Sequence, residues 1–143
     1  MTYKINYEAN PSPKDIQVLG DGIIEYALQQ KSHKPMEFFA FFVRDENNKV
    51  LGGCNCAILY GCLYIDYLWI SESLRNQDYG TKLMLAAEKQ GREQGCTFAC
   101  VNTMDWEALD FYKKLNYTIE FERHGFEKDS VFYFLRKELK NIF

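Results

Sequence analysis

Residues 63–94 read LYIDYLWISESLRNQDYGTKLMLAAEKQGREQ, and the spacing of their apolar side chains changes halfway. Residues 63–70 form a dense apolar and aromatic run with one charge, Asp66, which predicts a buried strand. Residues 71–80 are polar, and from Thr81 onward the apolar positions recur at helical spacing, which predicts an amphipathic helix. A strand, a short loop and a helix leave unpaired backbone N–H groups at the helix start. The stretch therefore predicts an anion site, most often for a phosphate.

The N-terminal part of the chain predicts one strand and one interrupted helix. Tyr3 to Glu8 alternates between apolar and polar residues and predicts a first strand. Ser12 is expected to cap a helix that has Pro13 at its first position. Gly20 to Gly22 falls inside the apolar stripe of this helix, so we expect a kink or two short helices there. Residues 31–35 are expected to form a loop.

The remainder of the chain predicts an antiparallel meander followed by a parallel crossover. Further strands are expected at residues 37–43, 50–59, 63–70, 98–103, 117–122 and 130–137. Turn pairs at Asn47–Asn48 and Tyr60–Gly61 join the first three of these strands as antiparallel neighbours. The next strand follows a helix, so it should pair in parallel through a right-handed crossover. The order β-α-β-β-β-α-β-α-β-β predicts an α+β (α/β) fold with a mixed sheet of about seven strands, in a single domain over residues 1–143.

Composition narrows the class of protein. The formal net charge of −3 and the lack of a basic run argue against a nucleic-acid partner and allow a cationic substrate. We find no apolar signal segment at the N-terminus and no apolar run of membrane length, and the five cysteines are an odd number, so we expect a cytoplasmic protein with reduced thiols. His33 and His124 lie away from Cys54 and Cys56 in the sequence, so no metal site is expected and most thiols should be buried as small hydrophobic groups.

The loop from Arg75 to Gly80 resembles the acyl-CoA loop of the GNAT superfamily of N-acetyltransferases. Arg75 opens the family pattern and Gly80 closes it. Asn76 and Asp78 stand where the family has glycine, and these are the residue types that best tolerate left-handed backbone. The Asp78 carboxylate beside a pyrophosphate would weaken binding by roughly 1 kcal/mol or more.

A second segment, residues 105–117, resembles another GNAT signature. Four positions match it: Ala108, Phe111, Tyr112 and Lys114. Three positions carry substitutions for the family's Asn, Gly and Phe: Asp105, Asn116 and Tyr117. Asp105 is expected to cap a helix that ends near Asn116. Two signatures in the right order and at the right separation are more specific than either alone, and the resemblance covers nearly the whole chain.

The resemblance implies acetyl-CoA as co-substrate. The strand before the loop would part from the next strand, and the backbone groups of Trp69 and Ile70 would line the pantetheine arm, with the Ile70 N–H near the thioester carbonyl. The amides from Gln77 to Thr81 would hold the pyrophosphate. The residues assigned to the acetyl-CoA site are Trp69, Ile70, Arg75, Gln77, Asp78, Tyr79, Gly80, Thr81 and Asp105.

Two residues are candidates for catalysis. Tyr112 matches the family tyrosine that protonates the leaving thiolate, although a tyrosine on an apolar helical face is ordinarily a core residue. Asp66 is the only charge in its strand, so it is the candidate for the general base or for an amine-binding group. Its alternatives are a salt bridge or a solvent-facing position. Glu72 and Glu120 are weaker candidates for the base, and His124 is expected to be a surface residue.

These patterns support three hypotheses of function. The first is an N-acetyltransferase that moves an acetyl group from acetyl-CoA to an amine of a small molecule or protein by direct attack in a ternary complex, since no cysteine lies in a nucleophile context. The second is a non-catalytic acyl-CoA-binding regulatory module on the same fold. The third is a binder of another phosphate ligand. The apolar segment Val131 to Leu135 would allow a homodimer.

Overall fold

The structure, a computed structural model, describes residues 1–31 and 36–140 and divides the chain into two compact units, Met1–Pro35 and Met36–Phe143. Most of the loop predicted at residues 31–35 lies outside the described residues.

The first unit contains one helix, α1, at Pro13–Lys31. It begins as predicted, because the Lys14 N–H donates to the Ser12 hydroxyl at 3.3 Å. The helix runs without a break through Gly20 and Gly22, so the predicted interruption is wrong. The penalty of about 1 kcal/mol per glycine is too small to break a helix of this length, and a Gln17 to Asp21 side-chain hydrogen bond of 2.8 Å spans one turn beside Gly20.

The strand predicted at Tyr3 to Glu8 is also wrong. These residues carry no regular secondary structure, and every strand of the described sheet comes from the second unit. An alternating pattern forms a strand only where another strand supplies its hydrogen bonds, and pattern alone does not supply that partner.

The second unit is a six-stranded mixed sheet in the order β1-β2-β3-β4-β6-β5. Its strands are β1 Glu37–Arg44, β2 Val50–Leu59, β3 Cys62–Ile70, β4 Phe98–Met104, β5 Thr118–Arg123 and β6 Phe132–Glu138. Its helices are α2 Tyr79–Glu93 and α3 Leu109–Lys114, with two short 3-10 turns at Glu72–Leu74 and Glu127–Asp129. Only β3 and β4 pair in parallel among the described strands, so the predicted α+β mixed sheet is confirmed, with six strands where about seven were expected.

Two tight turns set the meander of β1, β2 and β3. At the first turn, the Asn48 N–H donates to the Asp45 carbonyl at 3.0 Å, and Asn48 has a left-handed φ of 65°. At the second, Tyr60 and Gly61 have φ of 50° and 86°, the left-handed pair of a two-residue hairpin. Both predicted turns are confirmed.

The core lies between the sheet and one face of α2. Leu83, Met84 and Ala87 of α2 are buried in one cluster with sheet residues such as Leu63 and Ile65. Four of the five cysteines are buried and all five are free thiols, so the prediction that most of them act as small hydrophobic groups is confirmed.

A buried carboxylate joins α2 to the end of the sheet. Glu88 is fully buried, and its two oxygens accept hydrogen bonds of 2.8 Å from the Tyr117 hydroxyl and from the Lys137 ammonium. Burial and the neighbouring Glu88 raise the pKa of Tyr117 far above its ordinary value, so its hydroxyl remains a donor. We call these three residues the Glu88 anchor.

Strand β6, which contains most of the apolar segment Val131 to Leu135, pairs with β4 on one side and β5 on the other. Both edges of this strand are occupied, so it cannot pair with a second chain. A homodimer formed by packing of its face stays a prediction.

Candidate active site

The sheet opens where β3 and β4 part. Their parallel pairing covers residues 62–65 against residues 98–101 and stops at Ile65 and Val101. Strand β3 nevertheless continues to Ile70, and β4 continues to Met104. Beyond the fork, the described strands supply no partner for the backbone groups on the β4 side of β3, so the N–H groups there are available to a ligand.

Asp66 lies at the fork as the extra residue of a β-bulge. On β2, Asn55 pairs with Tyr67 while Cys56 pairs with Ile65, which leaves Asp66 unpaired between them. Its side chain is exposed, and its carboxylate lies 3.5 Å from the Asn55 amide nitrogen. The expectation of a buried carboxylate is therefore wrong, because the bulge turns this residue outward; the solvent-facing alternative is what the structure shows.

A cleft of about 630 Å³ lies beside the fork. Its walls come from the end of β3, the start of α2 and the segment before α3. They are formed by Leu68, Trp69, Ile70, Arg75, Gly80, Trp106, Glu107, Ala108 and Phe111. The cleft thus brings together four residues predicted from the sequence: Trp69, Ile70, Arg75 and Gly80.

The loop before α2 presents unpaired amides. Asn76 and Asp78 have left-handed φ of 63° and 66°, as the residue types predicted. Within the described residues, the N–H groups from Asn76 to Thr81 donate to no acceptor, and the first hydrogen bond of the helix is from the Lys82 N–H to the Asp78 carbonyl at 3.0 Å. Left-handed residues and a helix N-terminus form a concave row of donors suited to an anion.

Side chains at the start of the loop hold it in place. The Arg75 Nε donates to the Ile70 carbonyl at 3.2 Å, and the Gln77 amide donates to the Ser73 carbonyl at 3.1 Å. Asp78 is exposed and its carboxylate does not cap the helix, so its charge stands beside the unpaired amides without a hydrogen bond in the described part of the chain.

Gly80 brings α2 close to α3. A Cβ added at this position would lie 3.3 Å from Cζ of Phe111, which is tighter than most real contacts. The helix begins at Tyr79, two residues before the predicted start at Thr81. Tyr79 and Thr81 therefore place their amides in the first helical turn, where backbone donors have no partner inside the helix.

Tyr112 lies behind the cleft wall. Tyr112 is 5% exposed, and its ring contacts the rings of Phe111 and Tyr117 at centroid distances of 5.2 and 5.9 Å. Its hydroxyl forms no hydrogen bond with the other described residues. Every fully buried side-chain oxygen among those residues has a hydrogen-bond partner, so the Tyr112 hydroxyl is not fully buried and retains contact with solvent. Burial raises the pKa of Tyr112 well above its ordinary value, so the hydroxyl holds its proton at neutral pH.

Asp105 does not cap α3 as predicted. The helix starts at Leu109 with Ala108 as its N-cap residue, and the Ala108 N–H donates to the Thr103 hydroxyl at 3.2 Å. The Asp105 carboxylate instead accepts from the Val131 N–H at 3.1 Å, and the Asp105 N–H donates to the Val131 carbonyl at 2.9 Å. Asp105 is therefore placed to hold the segment after β5, and it is not among the residues that line the cleft.

The predicted end of α3 is confirmed. Asn116 is left-handed with φ of 73°, and the Tyr117 N–H donates to the Tyr112 carbonyl at 3.1 Å. This is the usual hydrogen bond of a helix that ends on a left-handed residue.

Five residues of the cleft lining were not assigned to the site from the sequence: Leu68, Trp106, Glu107, Ala108 and Phe111. For Trp106 the signal was an aromatic side chain two residues after the end of β4, at a position that the family signature does not specify. Of the weaker candidates, Glu120 lies 3.9 Å from Arg136, and His124 lies 3.3 Å from Glu122, both outside the cleft. Glu72 is also not part of its lining.

No helix in the described part of the chain is long and apolar enough to cross a membrane. The described residues also hold no group of three or more His, Cys, Asp or Glu side chains that could bind a metal ion.

Comparison with known proteins gives a consistent result. A family model described as the acetyltransferase (GNAT) family matches residues 3–117. Blasticidin-S acetyltransferase from Streptomyces morookaense is 28% identical over 107 residues, which cover 74% of this chain and 79% of that protein. The crystal structure of an acetyltransferase from Bacillus cereus is similar with a TM-score of 0.74 and 26% identity, over 93% of this chain and 97% of that one. An aminoglycoside 6'-N-acetyltransferase complexed with coenzyme A shares the fold, with a TM-score of 0.65 and 17% identity over 92% and 96% of the two chains.

Proposed function

Because this chain belongs to the GNAT family of acetyltransferases, we propose that it transfers an acetyl group from acetyl-CoA to a primary amine of a small organic molecule. The observation that carries the proposal is the fork between β3 and β4, which opens beside a cleft and a loop of unpaired amides. The similarity to blasticidin-S acetyltransferase supports a small-molecule acceptor, and the neighbour solved with coenzyme A supports the acyl donor.

The reaction is a direct attack. The amine nitrogen bonds to the thioester carbonyl carbon, the carbon–sulfur bond breaks, and the thiolate leaves with the electron pair. The unpaired backbone N–H of Ile70 is assigned to stabilise the oxyanion, because donors fixed before the reaction lower the barrier most. The Tyr112 hydroxyl supplies the proton that the thiolate takes up, and Asp66, directly or through water, receives the proton that the amine loses.

The amides from Asn76 to Thr81 are assigned to the pyrophosphate of the donor. Their unpaired donors and the N-terminus of α2 favour an anion, and Arg75 adds a positive charge at the start of the loop. Trp69 and Ile70 line the path from this loop to the fork.

The test of the function combines binding and turnover. Calorimetry with acetyl-CoA should show binding, and release of free thiol over a panel of small primary amines should show turnover. Binding without turnover on any small amine, with turnover on a protein amine, would contradict the small-molecule acceptor. Equal competition by unrelated nucleotides would contradict acetyl-CoA as the donor.

Asp78→Gly is expected to tighten acetyl-CoA binding by roughly 0.5–2 kcal/mol. The exposed carboxylate stands beside the amides assigned to the pyrophosphate, and removing it ends a repulsion between like charges. The gain should be larger at low salt, because salt screens the repulsion. Glycine accepts the left-handed φ of 66° but loosens the free loop, which offsets up to roughly 1 kcal/mol. Calorimetry at two ionic strengths measures the difference.

The control for this variant is Glu93→Gln, which removes one negative charge at the far end of α2. It should leave the affinity unchanged at moderate salt. Weaker binding of Asp78→Gly at every ionic strength would show that the carboxylate stabilises the loop and does not repel the ligand.

Asp66→Asn is expected to slow acetyl transfer, and the loss should shrink as pH rises. Asparagine keeps the shape of the bulged residue but cannot accept a proton. A larger fraction of the amine is already neutral at high pH, so the base is needed less. A pH–rate profile of both proteins measures this. Glu72→Gln is the matched control on the neighbouring segment, and a pH-independent loss in Asp66→Asn would indicate a structural role of the bulge.

A further inference from the structure

We propose that the acyl acceptor is a primary amine carrying a planar unsaturated ring, and that this ring stacks on Trp106 in a second cavity beside the cleft. The inference rests on the proposed function, because it names the acceptor of that reaction. It makes Trp106 a residue that determines acceptor specificity.

The second cavity has a volume of about 680 Å³. Its walls come from the end of β4 and from the segment between β5 and β6. They are formed by Met104, Trp106, Phe126, Glu127, Lys128 and Ser130. Trp106 belongs to the lining of both openings, so an acceptor held in the second cavity can extend its amine past Trp106 toward the fork.

The walls of this cavity are aromatic and accessible. Trp106 is 69% exposed and Phe126 is 36% exposed, although both are large side chains that gain from burial. Met104 adds a flexible thioether, which also packs favourably against rings. Flat side chains on the wall of a cavity are best covered by another flat group, which points to a ring in the acceptor.

The ring-bearing side of the cavity is held in place before any ligand binds. The Trp106 indole N–H donates to the Ser130 hydroxyl at 3.2 Å, next to the two hydrogen bonds between Asp105 and Val131, one from backbone to backbone and one to the Asp105 carboxylate. Phe126 packs on Phe132 at a centroid distance of 5.8 Å. Fixed contacts of this kind reduce the ordering cost of binding.

The same segment stores backbone strain. Lys128 and Asp129 are consecutive non-glycine residues with left-handed φ of 57° and 55°. Such conformations persist where surrounding contacts impose them, and they concentrate at ligand sites. Here they place Glu127 and Lys128 on the cavity wall.

Charge favours an amine over an acid as the incoming molecule. Glu107 lines the cleft and Glu127 lines the second cavity, the two openings that share Trp106. A protonated amine is drawn toward this side of the protein before it loses its proton for the reaction. The two linings also hold two cations, Lys128 and Arg75. Arg75 lies at the loop assigned to the pyrophosphate, which leaves Lys128 as the cation on the acceptor side.

The test compares two primary amines of comparable apolar size, 2-phenylethylamine and n-hexylamine, with kcat/KM expressed per neutral amine because the alkylamine is the stronger base. Their ratio of kcat/KM in the thiol-release assay should favour the ring-bearing amine by about 3- to 10-fold in the wild-type protein, the range for one aromatic contact. Trp106→Leu should reduce the ratio to about one, and Trp106→Phe should keep most of it. Ser130→Ala removes the hydrogen bond that holds the indole but keeps the ring, so it should reduce the preference without abolishing it.

Equal kcat/KM for the two amines in the wild-type protein, or a preference that survives in a folded Trp106→Leu variant, would overturn the proposal. Thermal unfolding establishes that each variant is folded. If no amine supported thiol release, the proposed function would fail, and calorimetry of 2-phenylethylamine with the wild-type and Trp106→Leu proteins would still decide whether Trp106 forms a ring site. Phe121→Leu, on an exposed aromatic of β5 outside the cavity, is the matched control.

Discussion

Tyr112→Phe is expected to lower the rate constant for acetyl transfer by roughly 10- to 1000-fold, the range for loss of a general acid. The substitution removes one hydroxyl and keeps the ring that packs against Phe111 and Tyr117. The hydroxyl has no hydrogen bond to lose among the described residues, so the fold should be unaffected. Acetyl-CoA binding should remain near normal, because the variant keeps the ring and the amides assigned to the pyrophosphate are unchanged. Single-turnover thiol release and calorimetry separate the two effects.

Tyr117→Phe is the matched control for this variant. Tyr117 is a neighbouring buried tyrosine, but its hydroxyl is bonded to Glu88 at 2.8 Å. Its loss should reduce stability and leave the rate constant nearly unchanged. An unchanged rate in Tyr112→Phe would make Tyr112 a core residue and would leave the leaving thiolate to be protonated by water.

Glu88→Ala is expected to lower the free energy of unfolding by about 2–4 kcal/mol. Removing one member of a buried ion pair leaves the other charge uncompensated, which costs about 3–5 kcal/mol in buried sites. The Lys137 side chain is 15% exposed, so its ammonium group can still be partly hydrated in the variant, which reduces the loss of stability. The Tyr117 hydroxyl loses its acceptor at the same time. Urea unfolding measures this loss as a lower midpoint concentration of urea, with the dependence of the unfolding free energy on urea concentration unchanged.

A double variant separates charge from packing. Glu88→Leu combined with Lys137→Met replaces the ion pair with apolar groups. Such replacements of buried ion pairs often leave the free energy of unfolding unchanged. It should be clearly more stable than Glu88→Ala. Lys89→Ala, on the exposed face of the same helix, should change stability by less than about 0.5 kcal/mol. An Ala variant at position 88 as stable as the wild type would show that the buried carboxylate contributes nothing to the fold.

Local signals predicted most of the second unit. The bounds of β2 agree with the prediction because turn residues flank it at both ends. The loop before α2 was predicted correctly because Asn76 and Asp78 are suited to the left-handed conformation that they adopt. In both places the information lies within a few residues.

The errors concern contacts between distant segments. A bulge at Asp66 arises from the register of β3 against β2, and one unpaired residue leaves no trace in an apolar run. Asp105 bonds to Val131, which is 26 residues away, so its sequence position suggested a helix cap instead. Trp106 was missed because the cavity that it lines forms only when the segment after β5 folds against it.

The order of the strands constrains the timing of folding during synthesis. Strand β6 follows β5 in the chain but lies between β4 and β5 in the sheet. The ribosome must therefore release β6 before β5 has a neighbour, and the carboxylate of Glu88 meets Lys137 only after 49 further residues have been made. In a nascent chain that lacks β6, the Glu88 carboxylate on α2 has no Lys137 partner, and one edge of β4 has no neighbouring strand. Completion of the described sheet is thus a late event, coupled to the emergence of β6.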